Sequence, residues 1–127
     1  MKGKFNLMEG DVLVGVFDID SEADKWFYTA IADNETQPLI FNLLLREQSH
    51  STLEGEQIKT WITNRSPSPF RADIEAVMEK VGISEYDPLA VVAYNAGRWH
   101  TDKYYLIGSY LLFPVGSLVS TSRVDFR

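Results

Sequence analysis

The chain has 127 residues, no cysteine and a net charge of −6, a length at which one hydrophobic core forms without a disulfide or metal staple. Lack of cysteine excludes disulfides, thiolate zinc sites and thiol nucleophiles, and fits a reducing cytoplasm. The charge is uneven: residues 1–65 carry 11 acidic and 6 basic side chains against 7 and 6 in residues 66–127, a field that repels phosphate backbones and argues against direct nucleic-acid binding.

The start, Met1-Lys2-Gly3-Lys4, is basic, but Asn6, Glu9, Gly10 and Asp11 interrupt any apolar run behind it, so no signal peptide is expected. Val12 to Phe17 and Lys25 to Ala32 are rich in β-branched and aromatic residues and are separated by a polar connection, which predicts an antiparallel hairpin. A third apolar run, Pro38 to Leu45, follows the turn-prone Asp33-Asn34-Glu35-Thr36 and reads as a third strand with proline at its first position.

From residue 51 the apolar period lengthens to that of a helix. Ser51-x-x-Glu54 has the spacing of a capping box, ahead of a stripe formed by Leu53, Ile58, Trp61 and Ile62. A second helix opens at Ser68-Pro69, places Phe70, Ile74, Val77, Met78 and Val81 on one face, and closes on Gly82 as a left-handed cap. The third opens at Asp87-Pro88, buries Leu89, Val92, Ala93 and Ala96, and closes at Gly97. Beyond it, Tyr104 to Ile107 and Tyr110 to Phe113 flank Gly108-Ser109, a hairpin signal. The greasy stretch Leu106 to Val119 is broken by Gly108, Pro114 and Gly116 and is too short for a membrane span, so no membrane association is expected.

These elements predict an α+β fold in one domain, 1–127. It has an N-terminal antiparallel hairpin or three-stranded sheet, a three-helix cluster over 52–97, and a C-terminal β-hairpin joining or facing the first sheet. Trp61, Ile74, Val77, Met78, Leu89 and Val92 are expected in one core.

No motif fixes a chemistry. Asp18, Asp20, Glu22 and Asp24 alternate like a calcium loop, but the EF-hand positions for glycine and bidentate glutamate hold Ala23 and Thr29, so a solvated hairpin tip is expected and no metal. A helix-turn-helix reading fails on the third helix, which offers base edges only Asn95 and the Tyr94 hydroxyl. Neither His50 nor His100 lies in a nucleophile elbow or a zinc spacing, and no glycine-rich phosphate loop is present. No catalytic residue, cofactor or metal is therefore assigned. The arginines at element ends are more informative. Arg71 falls in the first turn of the second predicted helix, where the dipole opposes positive charge, so it needs a counter-charge, for which Glu75 and Asp102 are candidates. Arg65, Arg71, Arg98, His100 and Asp102 form the candidate partner- or anion-binding set.

Residues 58–106 carry Trp61 on a helix, Arg65, a second arginine six residues on at Arg71, then Gly82-Ile83-Ser84, Asp87, Gly97 and Asp102-Lys103-Tyr104-Tyr105-Leu106. This order and spacing resembles the module that precedes the kinase domain in some HipA-like toxin proteins of Gram-positive bacteria and mobile elements. One position departs, since the pattern's proline three residues after the first arginine is Ser68 here, between Pro67 and Pro69. No kinase catalytic loop accompanies the module, so phosphoryl transfer does not follow from the resemblance.

The resemblance implies a non-enzymatic protein-binding module, acting alone as a regulator or accessory of a HipA-like kinase or as an inhibitor carried by a phage or mobile element. Two rivals stand beside it: a small enzyme or ligand-binding protein with an arginine-lined pocket for an anion, and an acidic nucleic-acid mimic that blocks a DNA-binding protein. The expected partner is a protein, and assembly of identical chains is compatible with the same reading.

Overall fold

Strand β1 (Lys2–Glu9) is an interior strand of a sheet, formed by the first residues of the chain. Its sequence alternates, with Gly3, Phe5 and Leu7 buried, Lys2 and Lys4 exposed and Asn6 half-buried, the period of two that one covered sheet face demands. It turns through Gly10-Asp11 into β2 (Val12–Asp20), which pairs in turn with β3 (Lys25–Ala30). The expected hairpin is present, and β1 makes it the centre of a larger sheet. The computed structural model describes residues 1–68, 70–97 and 102–112.

Within these residues the remaining elements are α1 (Leu39–Arg46), β4 (Thr52–Glu54), α2 (Glu56–Thr63), α3 (Ile74–Val81), α4 (Pro88–Asn95) and β5 (Tyr104–Leu112). The five strands form one antiparallel sheet in the order β4-β3-β2-β1-β5. The fold is α+β. Phe41 and Leu45 of α1, Ile58 and Ile62 of α2, and Leu89, Val92 and Ala93 of α4 pack with Phe5, Leu7, Phe17, Ile19, Trp26 and Tyr28 of the sheet. An aromatic cluster lies at the centre, with Phe17 stacked on Trp61 at 5.6 Å and Tyr28 on Phe41 at 4.5 Å between ring centroids. Among the described residues no helix is long and apolar enough to cross a membrane.

Four local expectations are corrected. The run from Pro38 is helix α1 and not a third strand: Pro38 occupies the N-cap position, and the leucine-rich octet buries Phe41 and Leu45 one turn apart. The Ser51-x-x-Glu54 spacing is not a capping box. Residues 52–54 instead pair with β3, setting Tyr28 opposite Leu53, and α2 starts after Gly55 without a side-chain cap. Strand pairing satisfies several backbone groups at the sheet edge where a cap would satisfy two. The second predicted helix starts at Ile74 rather than Ser68: ahead of it the backbone closes three-residue turns, the Arg71 amide donating to the Ser68 carbonyl and the Ile74 amide to the Arg71 carbonyl, in place of helical bonds. Phe70 accordingly stands 94% exposed and not on a buried face. Lastly, the two C-terminal runs are one strand. Gly108-Ser109 is no turn but a bulge, where the partners of Lys4 and Phe5 jump from Tyr110 to Gly108. The part of that expected hairpin at Phe113 lies outside the described residues.

The other boundaries follow the sequence signals. Gly82 closes α3 at φ 90, where a side chain would be strained, and its amide reaches the Met78 carbonyl. Asp87 caps α4 by accepting the Leu89 amide, with Pro88 next. Ala96 and Gly97 end that helix, both at positive φ. The single predicted core is divided: Leu89 and Val92 join Trp61 over the sheet, whereas Val77 packs with Val81, Ala90, Val91 and Tyr86 in a second cluster. Ile74 and Met78 are half-buried. The cause is α4, whose residues Leu89 to Ala93 are all buried, so that one side meets the sheet and the other meets α3.

Candidate functional site

Arg65 follows the last turn of α2 and is 4% exposed. A guanidinium so deep must spend its donors inside the protein. Nη1 and Nη2 donate to the two carboxylate oxygens of Asp102 at 2.8 and 2.6 Å, Nη2 also donates to the Tyr104 carbonyl at 3.0 Å, and Nε donates to the Gly97 carbonyl. The same group lies over the Trp61 ring, 4.5 Å from its centroid. Asp102 in turn accepts the Tyr104 amide. The clasp therefore joins the end of α2, the end of α4 and the start of β5.

Burial works to push the Asp102 carboxyl up, but the hydrogen bonds and positive charge of Arg65 outweigh it and hold the group below the ordinary carboxylate value. A carboxyl lowered on folding contributes stability above its unfolded value, and that contribution disappears as pH falls through the lower folded value. Asp102→Asn is thus expected to melt earlier than wild type at neutral pH, with the gap narrowing as pH falls below the ordinary carboxylate range. A gap in melting temperature that stays constant from neutral to acid pH would contradict this assignment.

Of the five candidate residues, the structure brings Arg65 and Asp102 together. Arg71 is exposed and pairs with Asp73, its Nη2 lying 3.1 Å from Oδ2, and not with Asp102 or Glu75. Because α3 starts at Ile74 and not at Ser68-Pro69, Arg71 sits in a turn before the helix. Outside the first turn, Arg71 does not meet the helix dipole and needs no distant counter-charge. Arg98 and His100 lie outside the described residues. In the acidic hairpin, Asp20 accepts the Ala23 amide and Asp24 accepts the Trp26 indole N–H at 2.8 Å, so two of its carboxylates close the turn.

A second site lies between α1 and α2. Six of the eight residues of α1 are large and apolar, more than one buried face accommodates. Leu39 is 75% exposed, Leu43 50% and Ile40 40%. Ile40 forms one wall of a groove of about 440 Å³ whose other lining comes from Glu56, Gln57, Thr60, Trp61 and Asn64 of α2 and its end. Trp61 gives the groove its aromatic floor, and the Arg65 clasp holds that ring from behind. Sequence reasoning missed Leu39, Ile40 and Leu43, because as a strand the run would have buried both faces. Its excess of apolar residues becomes a signal only once the run is known to be a short helix at the surface.

No protein-family model, no curated protein and no solved structure matches the chain.

Proposed function

We propose that the chain is a non-enzymatic protein-binding module whose contact surface is α1 with the adjoining groove. The observation that carries this reading is the exposure of Leu39, Ile40 and Leu43 on one helix, beside a groove floored by Trp61, since contiguous exposed apolar surface with a polar rim is characteristic of partner contacts. The resemblance over residues 58–106 suggests the setting: a regulator or accessory of a HipA-like kinase, or an inhibitor carried by a phage or mobile element, working in the cytoplasm as the cysteine-free composition fits. The arginine-lined pocket is the weaker reading, because four donor contacts commit Arg65 to Gly97, Asp102 and Tyr104 and leave little with which to hold an anion.

The test is affinity capture from the native host with wild type and with a Leu39→Ser/Leu43→Ser variant, followed by purification of the captured protein and measurement of its affinity for both. The purified protein should bind wild type directly and the variant at least about tenfold more weakly, the loss of one or two apolar contacts at an interface centre. Circular dichroism should show the variant folded, since both side chains are exposed. Equal binding by the two proteins, or no binding by any purified candidate, would overturn the proposal. Capture of a HipA-like kinase would support the regulatory setting, and capture of a partner of another kind would overturn that setting alone.

A further inference from the structure

The groove between α1 and α2 has two chemically different walls, and that asymmetry defines what fits it. On the α1 side Ile40 lines it, with exposed Leu39 and Leu43 beside it on the same helix; on the α2 side, Glu56, Thr60 and Asn64 recur every four residues, a polar line about 12 Å long at the helical rise. An occupant must turn an apolar side to one wall and hydrogen-bonding groups to the other.

The backbone decides the occupant's secondary structure. Helices α1 and α2 satisfy their interior N–H and C=O groups within themselves, so the walls present side chains and no free strand edge. An extended peptide seated there would bury main-chain groups without partners, whereas a helix brings its own satisfied. Charge decides the rest. Glu56 is the acidic residue lining the groove, and residues 1–65 hold 11 acidic against 6 basic side chains in a chain of net charge −6. Such a field draws cations toward the surface and disfavours an acidic partner.

We infer that the α1–α2 groove receives a basic amphipathic helix of a partner protein, with aliphatic side chains against Leu39, Ile40, Leu43 and Trp61 and a lysine or arginine at Glu56. This rests on the binding-module reading and names the partner's chemistry. The probe is a fluorescein-labelled leucine–lysine peptide with leucines at helical spacing, compared with a scrambled peptide of the same composition and a leucine–glutamate peptide of the same pattern. Fluorescence anisotropy should show the patterned basic peptide binding wild type at least about tenfold more tightly than either control. Leu39→Ser/Leu43→Ser should abolish that preference, and Glu56→Gln should weaken binding about threefold and flatten its salt dependence.

Equal affinity for the acidic or scrambled peptide would overturn the assignment, as would unchanged binding by the double serine variant. Sedimentation equilibrium adds an independent outcome: dimers of wild type that the double variant cannot form would make a second copy the occupant. If the basic peptide fails while Leu39 and Leu43 still govern capture of the native partner, the helical assignment falls and the binding module stands. If the serine variant leaves native capture intact, the module's contact surface itself is refuted.

Discussion

Arg65→Met is expected to lower the unfolding free energy by about 3 kcal/mol, the scale for removing one partner of a buried ion pair. Methionine keeps much of the aliphatic volume but removes the arginine donors from the carbonyls of Gly97 and Tyr104 and from the carboxylate of Asp102, which keeps the Tyr104 amide. Each orphaned group then bears its own desolvation cost. The Asp102 side chain is 29% exposed and regains some hydration, which keeps the loss toward the lower end of that scale. Arg65→Lys should recover little, because a single ammonium cannot span both carboxylate oxygens and two carbonyls. Urea denaturation at neutral pH measures all three proteins. A loss under about 1 kcal/mol for Arg65→Met would place the clasp among ordinary surface pairs and refute its structural role.

Gly15→Ala carries a comparable cost for a different reason. Gly15 lies on the covered face of β2, opposite Leu7 and Ala30, and the Tyr28 ring passes over it. A Cβ there would come closer than 3.0 Å to the phenol oxygen and to two ring carbons, so a wholly buried ring must move. Moving it breaks a buried network in which the Tyr28 hydroxyl donates to Gln37 Oε1, while Gln37 Nε2 donates to the carbonyls of Val14 at 2.9 Å and Ala32 at 3.0 Å. Overpacking and the disturbed bonds together predict about 3 kcal/mol. Tyr28→Phe in the same chain should recover only part of this, because the ring carbons collide as well as the oxygen. A double-mutant cycle by urea denaturation tests the coupling, and full additivity would show that alanine is accommodated without displacing the ring.

The two sites differ in how far they could be read beforehand. Arg65, Arg71, Asp102 and their neighbours attract attention as charged groups at element ends, and Asp102 is indeed held by an arginine. Which arginine depends on where α3 begins. Ser68-Pro69 has the form of a helix start, but the backbone after it closes three-residue turns at Arg71 and Ile74, and the delay to Ile74 leaves Arg71 beside Asp73. The groove was not legible at all, since its apolar wall belongs to a run whose helical nature is ambiguous from residue types.

What the sequence determined by itself are the features whose causes lie within one turn of chain. The β2–β3 hairpin follows from alternation and a polar connection, the end of α3 from Gly82, and the start of α4 from Asp87-Pro88. Tertiary structure alone decided that residues 39–46 coil while residues 52–54 extend, because the outer edge of β3 takes Thr52, Leu53 and Glu54 as its partner and leaves the leucine-rich octet to cover Phe17 and Tyr28. It also decided that Gly108-Ser109 bulges within a strand along β1 and that Arg65 turns inward. These outcomes depend on which distant backbone edge or carbonyl needs a partner, a condition that residue types and local spacing do not record.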